Sequence, residues 1–225
     1  MPRKGFIDTE EDLRVHLRAL RRACPHMRRI HAVAGDPPLR RHAPGLEGLA
    51  RIVVGQQLSI TSAAAIWTRT RATVEPFTAA RLLATNEELL KTAGLSAAKI
   101  RTLKALASTI AGGSLDIEAV SVAPEAEVHE ALTAVTGIGP WTADIFLLFC
   151  AGRADAWAAG DLALQVAVQR LFHLDQRPRS QAMVDIAERW RPHRGAAARL
   201  LWAYYAVEKV QRSGAPAQRG RARAL

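Results

Sequence analysis

Apolar residues recur at three- and four-residue spacing along most of this chain, and runs of strict alternation are scarce. That period belongs to helices packing one face inward. Leu46, Leu49, Ile52, Val53, Ile60 and Ile66 draw such a stripe and predict a helix over 46–70, preceded by one over 10–23. The stretch AGDPPLRRHAPG between them is rich in Pro and Gly and reads as a connection. TNEELLKTAGL predicts a short helix closed by Gly94, after which Ser96 can cap a helix through about Ile110. AGGSLD ends that one, and Pro124 can begin the next, through EAEVHEALTAV. A further segment starts at Pro140 and ends near Cys150; Asp161 heads LALQVAVQRLF; helices near 181–190 and 195–211 finish the pattern. The expected fold is all-α.

Charge adds a partner class. The 225 residues carry a formal charge of +10, which suits a polyanion such as nucleic acid. The tail SGAPAQRGRARAL shows no burial pattern and reads as a basic, disordered segment over 212–225. Cys24 and Cys150 lack metal-ligand spacing, and the simplest setting for them is a reducing cytosol. MPRKGFIDTEED has no apolar core of a secretion signal, and IFLLFCAG is too short to span a bilayer. A cytoplasmic protein with no membrane partner is expected.

Candidate chemistry centres on TAVTGIGPWTADIFLLFC, residues 133–150. Gly137 and Gly139 flank Ile138, which allows a tight turn anchored by one aliphatic side chain while backbone comes close to a ligand. Pro140 suits the first turn of the following helix, whose remaining amides can hold a phosphate. A plain structural turn accounts for the same residues. Asp161 admits two readings as well: a helix N-cap, or a carboxylate facing a ligand from the helix start. Asp144, close behind the turn, suits an internal hydrogen bond better. No G-x-x-x-x-G-K-[ST] occurs, and GIGPW lacks the third glycine of a dinucleotide loop.

Taken together, LTAVTGIGPWTADIFLLF, Asp161 placed 22 residues beyond Gly139, LARIVVGQQLSITSAAAIW, AGLSAAKIRTLKALA and RWRPHRGAAARLLWAYY resemble the helix-hairpin-helix DNA glycosylase superfamily. Within it they resemble the alkylbase, or 3-methyladenine, glycosylase II group in a compact form. The resemblance spans about residues 10–211. It implies two helical lobes, one from the N- and C-terminal helices and the other from central helices over about 46–160, with an interlobe active-site cleft that takes DNA. Ala159 and Gly160 depart from the Pro and Asp common before the family's catalytic aspartate, leaving Asp161 as the match.

The implied reaction is hydrolytic excision of an alkylated purine from duplex DNA in base excision repair, with Asp161 catalytic. An ionised carboxylate stabilises the oxocarbenium-like sugar and orients water. Trp141 stands where strand-cutting relatives carry a lysine, so no imine chemistry is expected. Trp141 and Trp202 match the pocket tryptophans, with Tyr204 or Tyr205 as contributors, since electron-rich rings favour a cationic base. Trp67 and Trp190 are expected in the core, and a core place is also open to Trp202. Gln57 matches the wedge that fills the vacated duplex position, with Gln56 and Ser59 beside it; Gly137, Ile138, Gly139 and Thr142 fall to the backbone grip.

The resemblance further implies a monovalent cation, Na+ or K+, on main-chain carbonyls of about Thr133, Val135 and Gly137. Two cysteines exclude the four-cysteine iron–sulfur cluster of other branches. No further cofactor is required. Arg51, Lys99, Arg101, Lys104, Arg170 and Arg194 are candidates for extra phosphate contacts. The partner is double-stranded DNA containing damaged bases, and a monomer is expected. Neutral lesions such as ethenoadenine or hypoxanthine, and a non-catalytic DNA-binding module on the same hairpin, remain the competing readings.

Overall fold

The computed structural model describes residues 5–212; the tail from residue 213 on lies outside the described residues. In chain order the helices are α1 (Glu10–Ala23), α2 (Pro25–Ala34), α3 (Gly45–Gly55), α4 (Ile60–Thr73), α5 (Ala79–Ala84), α6 (Glu87–Thr92) and α7 (Ala97–Ala111). They continue with α8 (Ile117–Val122), α9 (Glu125–Thr133), α10 (Pro140–Phe149), α11 (Leu162–Phe172), α12 (Ser180–Ala187) and α13 (Arg194–Arg212). A 3-10 turn, Glu188–Trp190, follows α12. The all-helical expectation holds across the described residues.

Contacts sort the helices into two compact units. One joins the N-terminal stretch to Leu39 with the chain from Trp157 on, and the other is Arg40–Ala156. The discontinuous unit packs α13 against α2 and α11, and α1 against α2. Its core includes Leu13, Leu17, Leu20, Met27, Ile30, Leu164, Val168, Leu200 and Leu201, all buried. Trp190 is 1 % exposed and lies with Trp157 and Phe172, so the core assignment of that tryptophan is correct. The continuous unit is built on Val53, Val54, Trp67, Val74, Leu82, Leu90 and Leu103, with Phe77 against Trp67.

Two sequence expectations need correction. The helix expected over 46–70 is two helices, because the chain leaves helical geometry at Gln56, and Gln57 adopts a left-handed φ of 57°. Ser59 then caps α4 by accepting from the Ser62 amide. Helix α2 is missing from the expected elements, which leave residues 24–33 unassigned; Pro25 at its first turn starts it directly after Cys24 ends α1, so the apolar period resets without a linker. Elsewhere local signals and structure agree: Ser96 caps α7, and Gly94 takes a positive φ after α6. Thr9 and Asp12 form a reciprocal capping box at the start of α1.

Candidate active site and DNA-gripping hairpin

Helices α9 and α10 are joined by Ala134–Gly139, and the turn works because its two glycines do different jobs. Gly137 has φ 87°, and a Cβ there would overlap the Thr102 side chain on α7. Gly139 has an ordinary φ of −101° and open space where a Cβ would go. Ile138 is 4 % exposed and its amide donates to the Val135 carbonyl, so it anchors the turn as expected. The amides of Gly137 and Gly139 meet no acceptor among the described residues. They stand just before Pro140, where the dipole of α10 favours an anion.

Across the hairpin, His129 on α9 and Asp144 on α10 approach to 2.8 Å. The hydrogen bond with Asp144 raises the His129 pKa above its ordinary value. Asp144 therefore ties the two hairpin helices, which is the internal role its position suggested.

Thr142, expected among the DNA contacts, turns its side chain inward. It is 2 % exposed, its amide donates to the Gly139 carbonyl, and its hydroxyl accepts from the Gln56 side-chain amide at 3.0 Å. Gln56 is likewise committed inward. The pair ties the end of α3, from which the 56–59 loop projects, to the first turn of α10. Lys99 strengthens the same place: its ammonium donates to the Val54 carbonyl at 2.7 Å, and burial lowers its pKa. Gln57 is left exposed at the apex, in a conformation that few non-glycine residues adopt.

In the other unit, Asp161 is the N-cap of α11, accepting from the Leu164 amide at 2.9 Å. The same carboxylate oxygen, Oδ1, accepts from the Trp202 indole N–H at 2.9 Å. Both readings of Asp161 are thus compatible: the cap and the tryptophan fix the carboxylate as an oriented, half-buried acceptor at a helix start. Trp202 is half-buried on α13, outside the core that α13's first two turns enter.

The tyrosines have partners of their own. The ring of Tyr205 receives the Arg170 guanidinium at 5.6 Å, and Arg170 approaches Glu208 at 3.9 Å. Arg170 is nine residues beyond Asp161, about 13 Å along α11. Tyr204 shares that neighbourhood: burial and Glu208 raise its pKa while Arg29 and Arg170 oppose the rise.

Most of the expected phosphate contacts are also spent internally. Lys104 donates to the carbonyls of Leu82, Leu83 and Thr85, closing the end of α5. Arg194 is 7 % exposed and paired with Glu188. Arg51 and Arg101 remain exposed. Basic residues near helix ends look alike in sequence whether they face solvent or cap a carbonyl.

No group of three or more His, Cys, Asp or Glu side chains among the described residues could hold a metal ion. No helix is long and apolar enough to cross a membrane among those residues.

Residues 50–192 match the model of the HhH-GPD superfamily base excision DNA repair proteins. The chain belongs to that superfamily. It is 32 % identical over 160 residues to DNA-3-methyladenine glycosylase 1 of Schizosaccharomyces pombe, covering 69 % of this chain and 70 % of that protein. The structure of the Schizosaccharomyces pombe 3-methyladenine DNA glycosylase Mag1 in complex with abasic DNA superposes with a TM-score of 0.76 at 28 % identity, covering 85 % of this chain and 95 % of that one. A Bacillus subtilis relative named as a DNA-3-methyladenine glycosylase, YfjP, is 32 % identical over 93 residues, 41 % of this chain; the match spans only 32 % of that protein.

Proposed function

We propose that this superfamily member is a monofunctional DNA glycosylase that excises alkylated purines, such as 3-methyladenine and 7-methylguanine, from duplex DNA and leaves an abasic site. The observation that carries this reading is the Asp161 carboxylate, oriented through Oδ1 by the Leu164 amide and the Trp202 indole. The substrate class comes from the relatives, which carry 3-methyladenine glycosylase names.

Breaking the bond between deoxyribose carbon and base nitrogen leaves positive charge on the sugar. A fixed carboxylate stabilises that charge without reorganising, and it can direct water to the same carbon. Alkylation makes the purine a better leaving group and a cation, so stacking on indole favours it over normal bases. Trp141, second residue of α10, offers such a face and has no amine with which to form an imine. Base release therefore occurs by hydrolysis, without strand cleavage. Gln57 enters the duplex where the base has left.

The Gly137 and Gly139 amides take a phosphate of the gripped strand. A monovalent cation on the carbonyls of Thr133, Val135 and Gly137 fits this turn: the donors are neutral oxygens, and Gly137's positive φ lets the chain double back. Val135 already accepts from the Ile138 amide, leaving its second lone pair for the ion. Bound there, the ion would add positive charge beside the phosphate.

Chromatography of bases released from methylated duplex DNA tests the reading. Wild type is expected to free methyladenine and methylguanine and Asp161→Asn almost none, with folding intact because Asn is an equally good N-cap. Borohydride should trap no covalent adduct. Release by Asp161→Asn at the wild-type rate, or a trapped adduct, would overturn the assignment.

A further inference from the structure

Lys99, Lys104, Arg170 and Arg194 are engaged with carbonyls or acids, so cationic groups open to an anionic ligand lie elsewhere. One place gathers several of them. Arg18, Arg21, Arg22 and Arg28 line a concavity of about 320 Å³ where the end of α1 turns into α2. Among the described residues no acidic side chain lines it.

The two halves of α1 treat their arginines differently. In the first half, Arg14 pairs with Glu10 and Glu11, and Arg18 reaches Glu11 at 2.8 Å. Beyond it, Arg21, Arg22 and Arg28 have no carboxylate partner among the described residues, and all three are exposed. The α1 dipole eases the charge of Arg21 and Arg22 in its last turn, and also that of Arg28, which reaches a carbonyl of that turn from α2. Arg28 is also held in place: its Nε donates to the Arg21 carbonyl at 3.1 Å, which leaves the terminal nitrogens of its guanidinium for a ligand. Three like charges drawn around one hollow repel one another unless an anion sits between them, and planar guanidinium forks suit phosphate.

This hollow is separate from the Asp161 end of the unit. His26 packs on Phe172 at 4.8 Å between ring centres, and Arg29 donates to the Leu171 carbonyl, so α2 meets α11 at its last turn. Asp161 stands at the opposite end of that eleven-residue helix, about 16 Å away along its axis. A phosphate held by the arginines is not that of the nucleotide under attack.

We infer that Arg21, Arg22 and Arg28 form a second phosphate-binding site, which takes the phosphodiester backbone of DNA outside the lesion nucleotide. It adds sequence-independent affinity, the term that keeps a searching enzyme on undamaged DNA. This goes beyond the glycosylase reading and does not depend on the excision chemistry.

The test is fluorescence-anisotropy binding of the full chain to an undamaged duplex at salt concentrations from roughly 50 to 300 mM. Each phosphate contact contributes about 0.9 to the slope of log affinity against log salt. Arg21→Gln/Arg22→Gln/Arg28→Gln together should flatten that slope by about 2 to 3. Arg14→Gln, which removes an arginine outside the hollow that is already matched by acids, should flatten it by less than about 1. Base release under single turnover at saturating enzyme should be the same for wild type and the triple variant. An unchanged slope in the triple variant, or a loss of affinity equal at every salt concentration, would overturn the proposal. So would competition by tripolyphosphate that the triple variant abolishes while its DNA slope stays intact, since the site would then serve small anions. Absence of base release by wild type alongside a flattened slope would count against the glycosylase reading only.

Discussion

Trp202 donates its indole N–H to Oδ1 of Asp161 at 2.9 Å, placing a residue read from sequence as a stacking face in direct contact with the carboxylate proposed to be catalytic. A hydrogen bond to a charged acceptor is worth about 1.5–3 kcal/mol. Trp202→Phe keeps an aromatic ring but removes the donor. The turnover number kcat on methylated duplex is therefore expected to fall about tenfold or more, with KM little changed. A rise in KM at constant kcat would show instead that the ring serves only to bind the base.

The hairpin glycines separate folding from grip. Gly137→Ala must place a methyl in a left-handed conformation and against Thr102, so thermal unfolding should report a loss of about 1–3 kcal/mol. Gly139→Ala meets open space at φ −101° and should leave Tm near that of wild type. If the turn lies flat on a phosphodiester, the added methyl at 139 should still weaken duplex binding several-fold. Equal DNA affinity of Gly139→Ala and wild type would remove Gly139 from the interface.

The Gln56–Thr142 hydrogen bond joins the 56–59 loop to the hairpin helix, so its partners should not act independently. Thr142→Val preserves shape but strands a partly buried amide, at a cost of about 1–3 kcal/mol. In a double-mutant cycle with Gln56→Ala, urea unfolding should reveal a coupling of about 0.5–1.5 kcal/mol. Strict additivity would mean that the tie contributes nothing.

How far the sequence carried the reading varied with the type of signal. Helices with their own caps were legible: Ser96, Gly94, Pro140 and Asp161 each sit where local chemistry placed them. The break at Gln56–Ser59 was hidden, because Leu46 through Ile66 keeps an apolar character across a non-helical turn and Gln57 gives no warning of its positive φ. Helix α2 was missed because one cysteine separates it from α1. At the site, types and positions pointed to Asp161, Trp202 and Gln57, but pairings stayed out of reach. Nothing in the string says that Thr142 turns inward to Gln56, that Tyr205 faces Arg170, or that Lys104 closes a helix end. Those outcomes depend on tertiary neighbours 19 to 86 residues away, which a local pattern does not encode.

Two histidines in the Arg40–Ala156 unit should give stability opposite pH dependences. His129 has its pKa raised by the hydrogen bond with Asp144. Its stabilisation is complete below the unfolded value of about 6.5 and is lost as pH rises through the higher folded value. His42 is pushed down to about 4, chiefly by burial and then by Arg51. Its stabilisation is complete above about 6.5, because the neutral ring is what the buried site accepts, and it is lost as pH falls toward about 4. Thermal unfolding of wild type and His129→Gln should therefore differ most at and below pH 6.5 and converge on the alkaline side. Wild type should lose stability between pH 6.5 and 4 more steeply than His42→Gln. A His129→Gln difference that grows with rising pH would show that the ion pair does not hold α9 to α10. Any effect on the hairpin's phosphate grip would then have to come from the turn alone.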